Sequence, residues 1–265
     1  MKKKMISTGL LVALITLVQA HELWMQPDKF TFKAGENLVV SFMAGENFIG
    51  APWDLKTHRL TKLELKQQTK STNLLDLLTS PERKTLTIPL KDEGTHLLLM
   101  QTENTFIELE GEKFDEYLKE DGLDEIYALR QKTNILNKPS SEYYSLHSKL
   151  LVQVGSHTDD TFRKVAGFPI EIIPERNPYM LKKGDPVRFR ILFEGKPLFG
   201  AKVKVWNRFN NRTTIQNIYT EKSGMIETHI SNPGRWMVSV VKMVPSKQDG
   251  AEWQRYRGSL VFGVE

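Results

Sequence analysis

His21 is the residue of this sequence whose position could give it unusual chemistry. A histidine at the start of a chain offers two nitrogen donors to one metal ion, its α-amino group and its imidazole Nδ1. An α-amino group has a pKa of about 7.7–8.0, so a metal ion displaces its proton readily at neutral pH. Such nitrogen ligands suit copper, nickel, zinc or cobalt, and affinity alone favours Cu(II). His21 has this chemistry only if the chain is cut after Ala20; otherwise it merely follows a cleavage-like sequence.

The other histidines are scattered, so a metal site has to be assembled across the fold. The chain has six histidines, and none of them forms an HxH or HxxxH pair. His147 is the preferred partner for His21, because the sequence SEYYSLHSKLL places it among aromatic residues at the entry to a strand. His157 is the next candidate; it lies in a GSHTDD loop beside two carboxylates, which is also the composition of a solvated turn.

The first twenty residues have the pattern of a secretory signal peptide. Lys2–Lys4 form a positive start, Gly9–Val18 is a mostly apolar run, and the sequence VQA before His21 offers a suitable cleavage site. The apolar run is shorter than the roughly 20 residues of a membrane-spanning helix, and charged residues resume at Glu22. We therefore predict a signal peptide at residues 1–20, a periplasmic mature protein, and no transmembrane segment after cleavage.

Charge and composition exclude several classes of function. Lys and Arg number 37 against 32 Asp and Glu, and three of the lysines precede His21, so the mature chain carries 34 against 32, or about +2. No concentrated basic face of the kind that binds nucleic acid is evident. The chain has no cysteine, which excludes disulfides and thiolate metal sites. No GxSxG, P-loop, HExxH or dinucleotide motif is present. The sequence therefore predicts a binding or structural protein rather than an enzyme.

Short alternating runs of apolar and polar residues dominate the first part of the mature chain. The run FTFKAGENLVVSFMAGENF indicates two strands joined by a turn at Ala34–Asn37, and further short strands follow between Gly-, Pro- or Asn-containing turns. This pattern is typical of an antiparallel sandwich. It predicts a mainly β fold whose first domain, an immunoglobulin-like sandwich, spans residues 21–175.

A helical segment interrupts that first domain near residues 112–133. Phe114, Tyr117 and Leu118 fall on one helical face, and the spacing repeats after Gly122. We predict two short helices, or one helix broken at Gly122. The acidic residues of this segment predict a solvated face and, as an alternative, an acidic ligand cluster; they are Glu112, Asp115, Glu116, Glu120, Asp121, Asp124 and Glu125.

Residues 178–265 form the second predicted domain. Several short strands are separated by turns such as Glu194–Pro197 and Asn232–Gly234. The sequences GKPLFGAKVKV and PGRWMVSV resemble a prealbumin-like or carboxypeptidase-regulatory-like sandwich. Such modules seldom carry catalysis, so we expect this half to support the protein.

Five segments in order over nearly the whole mature chain resemble one family of periplasmic proteins. They are HELWMQP, GEKFDEYLKEDGL, EYYSLHSKLLVQVG, GRWMVSVVKM and EWQRYRGSLVFGVE. Together they resemble the family of domain of unknown function 4198, which is associated with nickel and cobalt uptake as an envelope accessory beside the transporter. The resemblance matches His21 to the family's N-terminal histidine and His147 to a position that is often histidine. Where similar sequences often have V-H-M, this chain has a lysine, Lys242, which would oppose a cation.

Three functions remain open from the sequence. The leading prediction is a periplasmic accessory protein that binds a divalent transition metal (nickel, cobalt or copper) through His21, His147 and His157, with a membrane metal transporter as a possible partner. The second is an envelope interaction module without metal. The third is a copper oxidase built on a histidine brace, in which a second histidine lies within coordination distance of His21.

Overall fold

Strands form most of the regular structure in the part of the chain that the structure, a computed structural model, describes. The described residues are 22–53, 59–78 and 85–265, so the predicted signal peptide and His21 lie outside them. The strands are β1 (Glu22–Pro27), β2 (Thr31–Phe32), β3 (Asn37–Glu46), β4 (Ile49–Pro52), β5 (Leu60–Lys66), β6 (Ser71–Asn73), β7 (Thr85–Pro89), β8 (Gly94–Thr102), β9 (Thr105–Leu109), β10 (Ser140–Val154), β11 (Ile170–Pro174), β12 (Pro186–Phe193), β13 (Lys196–Pro197), β14 (Lys202–Phe209), β15 (Arg212–Tyr219), β16 (Met225–His229), β17 (Gly234–Pro245) and β18 (Trp253–Val264). The helices are α1 (Gly111–Glu120) and α2 (Asp124–Lys132).

The described strands form three sheets that pack in layers. The central sheet has ten strands, in the order β15-β14-β17-β18-β10-β8-β5-β6, with β2 and β9 also paired to β10. One outer sheet contains β1, β3, β4 and β7; the other contains β11, β12, β13 and β16. This mainly β architecture with sandwich packing confirms the predicted fold class.

Each face of the central sheet packs against one outer sheet. On β10, Leu150 and Val152 belong to the core shared with β1 and β3, whereas Leu151 belongs to the core shared with β11 and β12. Successive strand residues point to opposite faces, so a strand covered on both sides is apolar nearly throughout. The burial of β10 from Ser145 to Val154 follows from this position.

A parallel pair of strands joins the two halves of the chain. β10 pairs with β18 from Glu142 opposite Trp253 to Leu150 opposite Val261. The predicted boundary at residues 175–178 lies between β11 and β12, which are themselves paired antiparallel. The central sheet therefore contains strands from both predicted domains.

The helical insertion has the form predicted for it. α1 and α2 are separated at Gly122, whose φ of +71° is a left-handed conformation that glycine adopts easily. Phe114, Tyr117 and Leu118 are buried against Val241 and Met243 of β17. This confirms the predicted apolar face. Within the described ranges, no helix has the length and apolar character needed to cross a bilayer.

Candidate functional site

The start of β1, directly after His21, is held by buried charges. Glu22 pairs with Gly45 of β3, and its side chain is only 2% exposed. Its carboxylate lies 3.0 Å from Arg257 Nη1 and 3.6 Å from Lys204 Nζ. β1 also contacts the central sheet through the Ser259 hydroxyl, which donates to the Leu23 carbonyl at 3.2 Å. Glu22, the residue after His21, is therefore fixed inside the protein.

Asp121, at the end of α1, completes this group of charges. Arg257 Nη2 donates to its carboxylate at 2.6 Å, and Lys204 Nζ donates at 3.0 Å. We call Glu22, Asp121, Lys204 and Arg257 the Glu22 cluster; its two acids and two bases cancel in charge. Burial alone would raise the pKa of Asp121, but the charges of Arg257 and Lys204 bring it below its ordinary value. Burial alone would lower the pKa of Lys204, but Asp121 and Glu22 raise it. Asp121 and Lys204 are therefore held in their charged forms.

A second buried pair lies two residues earlier on β18. Arg255 Nε is 2.7 Å from Glu142 Oε1, and the Tyr117 hydroxyl donates to Glu142 Oε2 at 2.5 Å. Burial, followed by the nearby Glu142 charge, holds the pKa of Tyr117 well above its usual range. The Arg255 guanidinium also lies over the ring of Tyr144, 5.0 Å from its centroid. This pair continues the buried charges along the same face of β18, because Arg255 and Arg257 are two residues apart.

Part of the helical insertion's predicted acidic face is buried, which corrects that prediction. Asp115 and Asp121 are 5% and 2% exposed, whereas the other five acids of the set are exposed. Asp115 pairs with buried Arg130 at 2.7 Å, and Asp121 pairs with Arg257. The sequence signal that could have revealed this is the strand QRYRGSLVFGV, in which Arg255 and Arg257 stand at alternate positions of an otherwise apolar strand. Buried arginines require acidic partners, and these come from elsewhere in the chain.

His147 lies on the opposite face of the central sheet from Glu22. It is opposite Gly258 of β18, next to Arg257 in the chain, so the His147 and Arg257 side chains point away from each other. Its ring contacts Phe168 and Tyr256, with centroids 5.4 Å and 6.1 Å away. The structure therefore does not bring His147 to the start of β1, where the predicted metal site of His21 and His147 requires it.

The His147 imidazole is kept neutral in this setting. Its Nε2 is 3.1 Å from the Ser145 hydroxyl, and its buried Nδ1 has no hydrogen-bond partner. Burial, only partly offset by the charge of Glu171, lowers the pKa of His147 to about 4. A neutral ring has the lone pair that a metal needs. The His147 side chain is nevertheless buried, because it is only 2% exposed and packs against the rings of Phe168 and Tyr256.

His157 lies in the exposed loop after β10, away from His147. At about 3.3 Å per strand residue, the run from His147 to Val154 alone spans about 23 Å, so His147 and His157 cannot share one ion. The neighbouring carboxylates are engaged: Asp159 accepts from the Thr95 and Thr161 amides, and Asp160 pairs with Arg163. Across residues 22–53, 59–78 and 85–265, no group of three or more His, Asp and Glu residues is arranged to hold a metal ion.

Lys242 is part of an ion pair. It lies on β17 opposite Tyr256 of β18, and its ammonium is 3.6 Å from the Glu125 carboxylate on α2. Its side chain is 27% exposed. The lysine at this position therefore connects the central sheet to the helical insertion.

These features define the class of protein: sheets packed as β-sandwiches, with charged residues buried beside a helical insertion. The family described as Domain of unknown function (DUF4198) matches residues 18–243, and the chain belongs to this family. This confirms the resemblance drawn from the sequence. No protein of curated function matches the chain.

Solved structures give only weak similarities. Two structures of Salmonella alpha-2-macroglobulin, one of a mutant and one of the protein reacted with methylamine, are 12% identical, with TM-scores of 0.24 and 0.23. Each match covers 91% of this chain but only 15% of the macroglobulin chain. A carbohydrate-binding module of the beta-sandwich superfamily is 12% identical, with 93% of both chains covered and a TM-score of 0.21. Similarities this low carry no argument about function.

Proposed function

We propose that this protein is a periplasmic accessory protein that binds a divalent transition metal through His21 once residues 1–20 have been removed. The α-amino group and the imidazole of His21 chelate the ion, which is nickel, cobalt or copper. The protein hands the metal on during uptake or handling, beside a membrane metal transporter. The observation that carries the proposal is the Glu22 cluster, which anchors the residue that follows His21.

Anchoring Glu22 favours chelation by its neighbour. Terminal residues are ordinarily poorly ordered, and ordering the backbone of one residue costs about 1–2 kcal/mol. The buried ion pairs of Glu22 with Arg257 and Lys204 fix the backbone of Glu22 before a metal binds. A chelating terminus attached to that backbone loses less conformational freedom on binding. Family membership and the predicted signal peptide are consistent with this role.

The decisive experiment compares a free histidine terminus with a blocked one. The protein is secreted by its own signal, its mass is checked for a start at His21, and Ni(II), Co(II) and Cu(II) are titrated by calorimetry. A variant with one extra residue before His21 keeps the imidazole but removes the terminal amine beside it. We expect the extension to weaken binding by at least about tenfold, and a His157→Ala control to leave it unchanged. Equal affinity for the native and extended termini would refute the proposal.

The second candidate is an envelope interaction module without metal. The ion pair of Lys242 with Glu125 favours it, because a cation occupies the position where similar sequences often have histidine. Under this alternative, neither the native nor the extended terminus binds any of the three metals in the same titrations.

A further inference from the structure

A cleft at one end of the sheets contains two arginines that form no ion pair with any residue the structure describes. Its volume is about 430 Å³, and it lies between the start of β17, the turn joining β14 to β15, and the segment that follows β1. Arg208 and Arg235 line it together with Lys29, Asp28 and Glu265. We call this the arginine cleft. It is separate from the Glu22 cluster, none of whose members lines it.

Arg235 has a hydrogen-bonding nitrogen that is buried and unused. Its Nε is buried without a hydrogen-bond partner. Its guanidinium lies over the ring of Phe48, 5.5 Å from the centroid, which supports one of its faces. Burial, followed by the nearby charge of Arg208, lowers the pKa of Arg235 to about 10. The group is charged at neutral pH in a setting that disfavours its charge.

Arg208 is held in place by neutral acceptors. Its Nη1 is 3.2 Å from the Asn47 carbonyl and 3.1 Å from the Thr213 hydroxyl. Among the described residues, neither Arg208 nor Arg235 forms an ion pair. The two guanidiniums therefore present positive charge that no described carboxylate neutralises.

The other charged groups of the cleft already have partners. Lys29 pairs with Glu36 at 2.5 Å. Asp28 accepts from the Val39 amide at 3.1 Å, and Glu265 accepts from the Thr31 hydroxyl at 2.7 Å. A hydrogen bond from an amide or a hydroxyl does not neutralise a carboxylate, so the cleft contains the carboxylates of Asp28 and Glu265 as well as two arginines, Arg208 and Arg235, that form no ion pair among the described residues.

We propose that the arginine cleft binds a small molecule through a phosphate or carboxylate group held by Arg208 and Arg235. A guanidinium presents a planar fork of donors that matches the oxygens of these anions, and two such forks bind one group strongly. The volume lies within the range of small-molecule sites, so the ligand can be larger than a bare ion. Binding of an anion relieves the repulsion between the two arginines.

The test measures binding of defined anions to the intact secreted protein. Inorganic phosphate, glycerol phosphate and succinate are titrated by calorimetry, and vesicles of phosphatidylcholine with and without phosphatidic acid are tested by flotation. We expect the free anions to bind and the vesicles not to, because the ligand must enter a cleft. Arg208→Gln, which leaves the Arg235–Phe48 contact in place, should weaken anion binding by about tenfold or more.

Two further variants decide the outcome. Arg235→Lys keeps the charge but loses the fork, so it should also weaken binding if it folds with an unchanged circular dichroism spectrum. Arg188→Gln removes an arginine that is exposed and paired with Glu227, outside the cleft, and should bind as the wild type does. The proposal is overturned if no free anion binds, if Arg208→Gln binds as tightly as the wild type, or if only the vesicles containing phosphatidic acid bind.

Discussion

Removing one charge from the Glu22 cluster should strongly destabilise the protein. Asp121→Asn leaves Arg257 and Lys204 facing Glu22 alone, so the buried group changes from neutral to a net charge of +1. The asparagine amide has one oxygen, so its NH₂ group must point toward one of the two cations. Removing one partner of a buried ion pair costs about 3–5 kcal/mol. For a chain of this size that corresponds to a fall in melting temperature on the order of 10 °C.

Urea unfolding at pH 7, followed by tryptophan fluorescence, measures this cost. The matched control is Glu227→Gln, which makes the same acid-to-amide change in the exposed ion pair of Glu227 with Arg188. An exposed pair contributes at most about 1 kcal/mol, so this variant should unfold almost as the wild type does. If Asp121→Asn costs no more than Glu227→Gln, the cluster does not anchor β1 and the reasoning is wrong. Hydrogen exchange at the β1 amides should be faster in Asp121→Asn alone.

Three other changes test the layers around the central sheet. The pKa of His147 is lower in the folded state than in the unfolded state, so the neutral ring contributes to stability above about pH 6.5, and this contribution is lost as the pH falls toward 4. Between pH 7 and pH 4, the free energy of unfolding of His147→Gln, measured with urea, should therefore fall by about 3 kcal/mol less than that of the wild type. Equal falls in the two proteins would contradict this. Glu171→Gln removes the buried partner of Lys149, 2.5 Å away, and should cost about 3–5 kcal/mol by urea unfolding; a cost below about 1 kcal/mol would show the pair to be unimportant. Gly122→Ala forces alanine into a positive φ with its Cβ 2.5 Å from Lys202 Cβ, and should lower the free energy of unfolding by about 1–2 kcal/mol, whereas an unchanged value would mean that the backbone adjusts freely.

Much of the secondary structure could be predicted because it depends on local spacing. Alternation identified the strands around Ala34–Asn37, and the apolar face of Phe114, Tyr117 and Leu118 identified the helical insertion. The layering could not be predicted in the same way. The pairing of β10 with β18 joins residues more than a hundred positions apart, and no local pattern encodes it.

The buried charges escaped prediction for a related reason. In a two-layer sandwich the polar side of a strand faces water. Lys204 and Trp206 alternate with the apolar residues of β14, so the sequence pattern predicts that both side chains face solvent. In the structure that side of β14 faces β1, where Lys204 pairs with Glu22 and the Trp206 ring is 5% exposed in the core. The histidine partner of His21 was chosen from local sequence, which does not determine the face of the sheet on which His147 lies.

The position of β18 has a consequence for the order in which the chain can fold. β18 follows every other described strand along the chain, yet it lies in the interior of the central sheet, between β17 and β10. A chain that has emerged only as far as β17 therefore lacks the strand that joins its two halves, and long-range pairing of this kind forms slowly. β18 must therefore be synthesised before the central sheet can close. Until β18 is present, β17 and β10 have no strand between them, and the two halves of the central sheet remain unjoined.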